Sequence, residues 1–114
     1  MEAFKPSRVV LLRSEHHGLD ARSLRAYLDS DGNLHIDGQD IGPATAGASG
    51  DGEYEWGRTV LKEDLPDVIA LLDGSPEDHI LDLLERNWTG NRSAELERRL
   101  RESVIPSKLW TWSG

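Results

Sequence analysis

Residues 23–37 read SLRAYLDSDGNLHID. Two alternating runs lie in this stretch. Leu24, Ala26 and Leu28 oppose Arg25 and Tyr27, and then Leu34 and Ile36 oppose His35 and Asp37. Successive side chains of a strand point to opposite faces, so period-two alternation marks a half-buried strand. Between the runs stands Asp29-Ser-Asp-Gly, and Gly32 tolerates the positive φ of a tight turn. The stretch therefore reads as a β-hairpin with one apolar face. A second reading competes over residues 29–40, DSDGNLHIDGQD, where Asp29, Asp31 and Asn33 occupy positions 1, 3 and 5 of an EF-hand calcium loop. Position 6 is Leu34 rather than glycine, position 12 is Asp40 rather than glutamate, and strands replace the flanking helices. The hairpin is the better reading.

Outward from the hairpin, the first half is punctuated like a sheet and the second like helices. Arg8 to Arg13 holds VVLL, a continuous apolar run that suits a strand covered on both faces. Residues 42–52, GPATAGASGDG, lack apolar periodicity and read as a flexible loop. Strand character returns at Glu53 to Leu61, with Tyr54, Trp56 and Val60 on one face and Glu55, Gly57 and Thr59 on the other. Arg58 falls on the apolar side, which suggests a place at the rim of the sheet.

Leu65, Val68, Ile69 and Leu72 form a helical stripe, with Pro66 in its first turn and Gly74 at its end. Ser75-Pro76 then reads as the cap and first position of a second helix, burying Ile80, Leu81, Leu84 and Trp88. A third helix follows Gly90-Asn91, with Leu96, Leu100 and Val104 inward, and Pro106 stops it. The tail KLWTW adds a last strand. The expected fold is one α+β domain over residues 1–114, an antiparallel sheet of four to five strands with about three C-terminal helices packed on one face. The other face is then partly open and carries Arg25, Tyr27, His35, Asp37, Glu53 and Glu55.

The chain has 114 residues, no cysteine and a net charge of −8, so thiol catalysis, disulfides and thiolate metal sites are excluded. Charge is uneven: residues 29–82 balance to −12, and the two flanks to +2 each. An acidic middle disfavours nucleic acid and anionic membrane and favours basic partners. The four-residue apolar run near the N-terminus is too short for a signal peptide or span, which points to a cytoplasmic protein.

Catalytic signatures are weak. Gly47-Ala-Ser49-Gly50-Asp51 lacks the last glycine of a nucleophile elbow, and no helix follows it. His16 and His17 point to opposite sides of an extended chain. His79 and Asp82 lie one helical turn apart but make no zinc signature, and Asp82 has Arg86 four residues on as an ion-pair partner. No catalytic residue, metal site or cofactor is expected. Trp56 and Trp88 fit core positions; Trp110 and Trp112 either cap the core or anchor an interface, and core is favoured.

IDGQDIGP at residues 36–43, EYEW at 53–56 and IPSKLWTW near the end resemble a family of small, acidic, uncharacterised actinobacterial proteins. Arginine outnumbers lysine by ten to three, which suits a GC-rich genome. The resemblance brings no activity and no functional residue. The residues themselves favour a non-enzymatic interaction module in which Asp37, Asp40, Asp51, Glu53 and Glu55 meet a basic protein partner, for instance as an inhibitor or immunity protein. The alternative is a cation- or small-ligand-binding protein, or an enzyme, using His35 and Asp37 on the open face.

Overall fold

A computed structural model describes residues 5–42 and 52–113. Strands β1 (Val9–His17), β2 (Asp20–Leu28), β3 (Leu34–Ile41), β4 (Glu53–Val60) and β5 (Lys108–Ser113) form one antiparallel sheet in sequential order. A 3₁₀ turn (Lys62–Asp64) leads into α1 (Leu65–Leu71), followed by α2 (Ile80–Asn87) and α3 (Arg92–Glu102). The fold is α+β, as the alternation and the helical stripes indicate.

The β2–β3 turn shows why the hairpin forms. Asp29 Oδ1 accepts from the backbone N–H of Asp31 and Asn33, at 2.9 and 3.0 Å, while Gly32 adopts φ +86°. Asn33 Oδ1 in turn accepts from the Lys62 amide at 2.9 Å, tying the turn to the chain after β4. Both oxygens of Asp29, the first position of a calcium loop, are engaged within the hairpin, Oδ1 by the turn's amides and Oδ2 by the Asn33 and His35 side chains.

Register sorts the side chains into two faces. On the helix side, Val10, Ala26, Ile36, Arg58 and Leu109 form one cross-strand row, and Arg13, Leu24, Gly38, Trp56 and Thr111 the next. Val10, Leu12, Leu24, Ala26, Leu34, Ile36 and Val60 are buried there against Val68, Leu72, Leu83, Leu84, Leu96 and Leu100. Trp88 closes this core and makes two cation–π contacts, with the Arg92 and Arg99 guanidinium carbons 4.3 and 4.9 Å from its ring centroid.

Five details differ from the sequence reading. β1 is an edge strand covered on one face only, so Val10 and Leu12 are buried while Val9 and Leu11 are exposed. Ser75 does not cap α2, because residues 75–78 make a separate turn; the cap is His79, whose Nδ1 accepts from the Leu81 amide at 3.2 Å. Asp82 bonds Arg8 at 2.6 Å, and Arg86 pairs with Asp78 instead. Val104 is 99% exposed, because α3 ends at Glu102. Trp110 and Trp112 lie outside the core on the opposite face of the sheet. The loop expected over residues 42–52 lies outside the described residues except for its ends, where the Gly42 amide still donates to the Gly52 carbonyl at 2.9 Å.

Candidate functional site

The open face has four cross-strand rows. Val9, Tyr27, His35, Thr59 and Lys108 make the first; Leu11, Arg25, Asp37, Gly57 and Trp110 the second; Ser23, Gln39, Glu55 and Trp112 the third; His16, Ala21, Ile41 and Glu53 the fourth. All six residues expected on this face from the alternation are there. Strand order does the positioning: β3 and β4 are interior and hold the polar centre, while β1 and β5 carry exposed apolar side chains at the two edges.

In the first row the Tyr27 and His35 rings stack, with centroids 5.0 Å apart and planes within 4°. His35 Nε2 lies 2.7 Å from Asp29 Oδ2, and its Nδ1 lies 3.2 Å from Thr59 Oγ1. The contact with His35, reinforced by the turn amides, lowers the Asp29 carboxyl to about 2. Carboxylate, imidazole and hydroxyl stand in the order of a nucleophile relay, but Thr59 sits mid-strand in interior β4. The amides around it belong to the sheet ladders, so they offer no oxyanion pocket. The arrangement clamps the imidazole and locks the hairpin.

The second row is unusual. Asp37 is only 8% exposed, and the Tyr27 hydroxyl donates to its Oδ2 at 3.1 Å. Its Oδ1 is buried with no hydrogen-bond partner among the described residues. Burial pushes the carboxyl up, against the Tyr27 hydrogen bond and the nearby His35 and Arg25 charges. Gly57 explains the geometry. A Cβ there would lie 2.2 Å from Trp110 Nε1 and 2.6 Å from Asp37 Oδ1, so the missing side chain lets the indole and the carboxylate meet over the backbone. Trp110 is 37% exposed and Trp112 49%. In the third row Gln39 Nε2 donates to Glu55 Oε1 at 3.1 Å, holding that carboxylate beside Trp112.

No family model, curated protein or solved structure matches the chain. Function therefore rests on the geometry of these faces.

Of the acidic residues singled out in the sequence, Asp37, Glu53 and Glu55 share the open face. Asp40 does not. Its cross-strand partners are Arg22 and Tyr54 on the helix side, where burial raises its pKa. Asp51 lies outside the described residues. Glu63, Asp64, Asp67, Asp73, Glu77, Asp78 and Asp82 belong to the helical part, so the acidic middle is not one patch. Among the described residues no three His, Asp or Glu side chains converge as metal ligands, and no helix is long and apolar enough to cross a membrane. The exposed tryptophans were the residues sequence reasoning undervalued; their placement needed the β4–β5 register, which sets them opposite Gly57 and Glu55 on the face that no helix covers.

The sign of the Asp37 effect on stability follows from its raised pKa. Below the unfolded value, near 3.8, both states are protonated and folding carries no electrostatic penalty. As pH rises through that value and then the higher folded one, the unfolded chain gains more from ionisation and stability falls. Asp37→Asn is expected to raise the unfolding free energy at pH 7 by about 1 kcal/mol, with the gain fading towards pH 3. Urea denaturation at the two pH values checks this; a variant less stable than wild type at pH 7 would contradict it.

Proposed function

We propose that the protein is a non-enzymatic interaction module whose open sheet face binds a basic partner. The observation that carries the reading is the juxtaposition of exposed Trp110 and Trp112 with the Asp37 and Glu55 carboxylates. Interfaces take their affinity from a few aromatic anchors and their encounter rate from complementary charge, and this face supplies both. A buried carboxylate oxygen without a donor costs the free protein stability, roughly 1–3 kcal/mol. A partner arginine that swings the edge-strand Trp110 ring off Oδ1 and stacks on it would give Oδ1 that donor, combining a charge-assisted hydrogen bond with a cation–π contact. Inhibition of a basic toxin or nuclease is one form such binding can take.

The test uses a hexa-arginine peptide and amide chemical-shift mapping at low salt. Shifts are expected to concentrate on residues 37, 55, 57, 110 and 112 and on the Trp110 indole N–H. Glu53→Lys with Glu55→Lys should weaken binding about tenfold and flatten its salt dependence. Shifts centred on the acidic helical segments instead, or an affinity unchanged by the reversal, would refute the reading.

A further inference from the structure

The helix side of the sheet holds a second feature, whose lining shares only Gly57 and Trp110 with the open face. Between β3–β5 and α3 lies a cleft of about 460 Å³, walled by Ile36, Tyr54, Trp56, Leu100 and Leu109 and reached by Arg58 and Arg101. Its floor is rigid. Trp56 rests directly on Gly38, where a Cβ would come within 2.1 Å of Cζ2, and Tyr54 stacks on Trp56 with centroids 5.8 Å apart. The volume falls within the usual range for small-molecule sites, and an apolar floor with a few polar groups is their common character.

The charged end selects the ligand. Arg58 stands between Ile36 and Leu109 in its cross-strand row, and among the described residues its guanidinium makes no ion pair; Nη1 donates to Ser107 Oγ at 2.5 Å. Burial and the neighbouring Arg101 charge both lower the Arg58 pKa. Glu97, a carboxylate of the cleft lining, is bonded to Arg13 at 2.5 Å. Asp40, the second carboxylate of the lining, stands beside Arg22 and Arg13, so neither pairs with the Arg58 fork. A planar fork in such surroundings matches the two oxygens of a carboxylate.

We propose that this cleft binds a small organic anion with a flat apolar body, its carboxylate held by Arg58 and its ring plane against Trp56 and Tyr54. The probes are 2-naphthoate and its uncharged isostere 2-naphthamide, titrated into the full-length protein by calorimetry at low ionic strength. Naphthoate is expected to saturate below millimolar concentration and to bind at least tenfold more tightly than the amide. Arg58→Met keeps the apolar stem and removes the fork, and should bring naphthoate to the level of the amide. Arg101→Met changes an exposed side chain and leaves folding intact, so it provides a second reading, with the preference reduced at least threefold. Absence of naphthoate binding, equal binding of the two probes, or a preference that survives in both variants would overturn the proposal.

Discussion

Replacing Gly38 by valine is expected to lower the unfolding free energy by about 3 kcal/mol, the upper part of the range for overpacking a filled core. Gly38 has an ordinary strand conformation, so the cost is steric and not conformational. Its missing side chain is the seat of Trp56, whose Cζ2, Cε2 and Cη2 would lie 2.1, 2.3 and 2.6 Å from a new Cβ. Because β4 is an interior strand paired on both sides, the indole can yield only by tipping into the neighbouring cleft, which costs its packing on the core and on Tyr54. For a chain of this length the loss corresponds to a fall in melting temperature of roughly 15 °C. Gly57→Ala makes an instructive contrast. It strikes Trp110 just as hard, but Trp110 stands on edge strand β5 and can swing into solvent, so the loss should be smaller. Thermal and urea denaturation of the two variants measure the difference; a loss below about 1 kcal/mol for Gly38→Val would show that the indole has somewhere else to go.

Removing the two exposed indoles together, Trp110→Ala with Trp112→Ala, should weaken binding of the basic partner at least 100-fold, about 2.7 kcal/mol. The aromatic surface lost is the part of the face that a partner can desolvate, and Trp110 also shields Asp37 Oδ1. The kinetics should divide by residue type. Losing the anchors accelerates dissociation, whereas reversing Glu53 and Glu55 slows association and removes its dependence on salt. Surface-plasmon measurements at two ionic strengths resolve the two effects. Association and dissociation altered alike by both sets of variants would indicate general misfolding, not loss of an interface.

The hairpin at residues 23–37 was legible because one face of it is buried, and burial imposes strict alternation on the sequence. The helical stripes were legible for the same reason at their own period. What the sequence left open depended on neighbours far along the chain. VVLL looks like a strand covered on both faces until the helices are seen to pack on one side of the sheet only, which leaves Val9 and Leu11 exposed. Trp110 and Trp112 alternate as core residues would, but they sit on the face that no helix covers. Arg58 looked misplaced on the apolar side of β4, and that anomaly was the one sequence signal for the cleft. Asp37 and Asp40 were grouped by charge, although their positions differ by an odd number and must face opposite ways in one strand. The glycine seats at 38 and 57 could not be read at all without the register that sets each opposite a tryptophan.

Affinity capture from a lysate of the source organism tests the interface most directly, with wild type, Trp110→Ala/Trp112→Ala and Glu53→Lys/Glu55→Lys run side by side. Proteins would be eluted with stepwise salt and identified by mass spectrometry. The predicted result is one basic protein held by wild type, released at moderate salt, and missing from both variants. The same proteins recovered with all three baits, or nothing specific to wild type, would contradict a sheet face built to hold a basic partner.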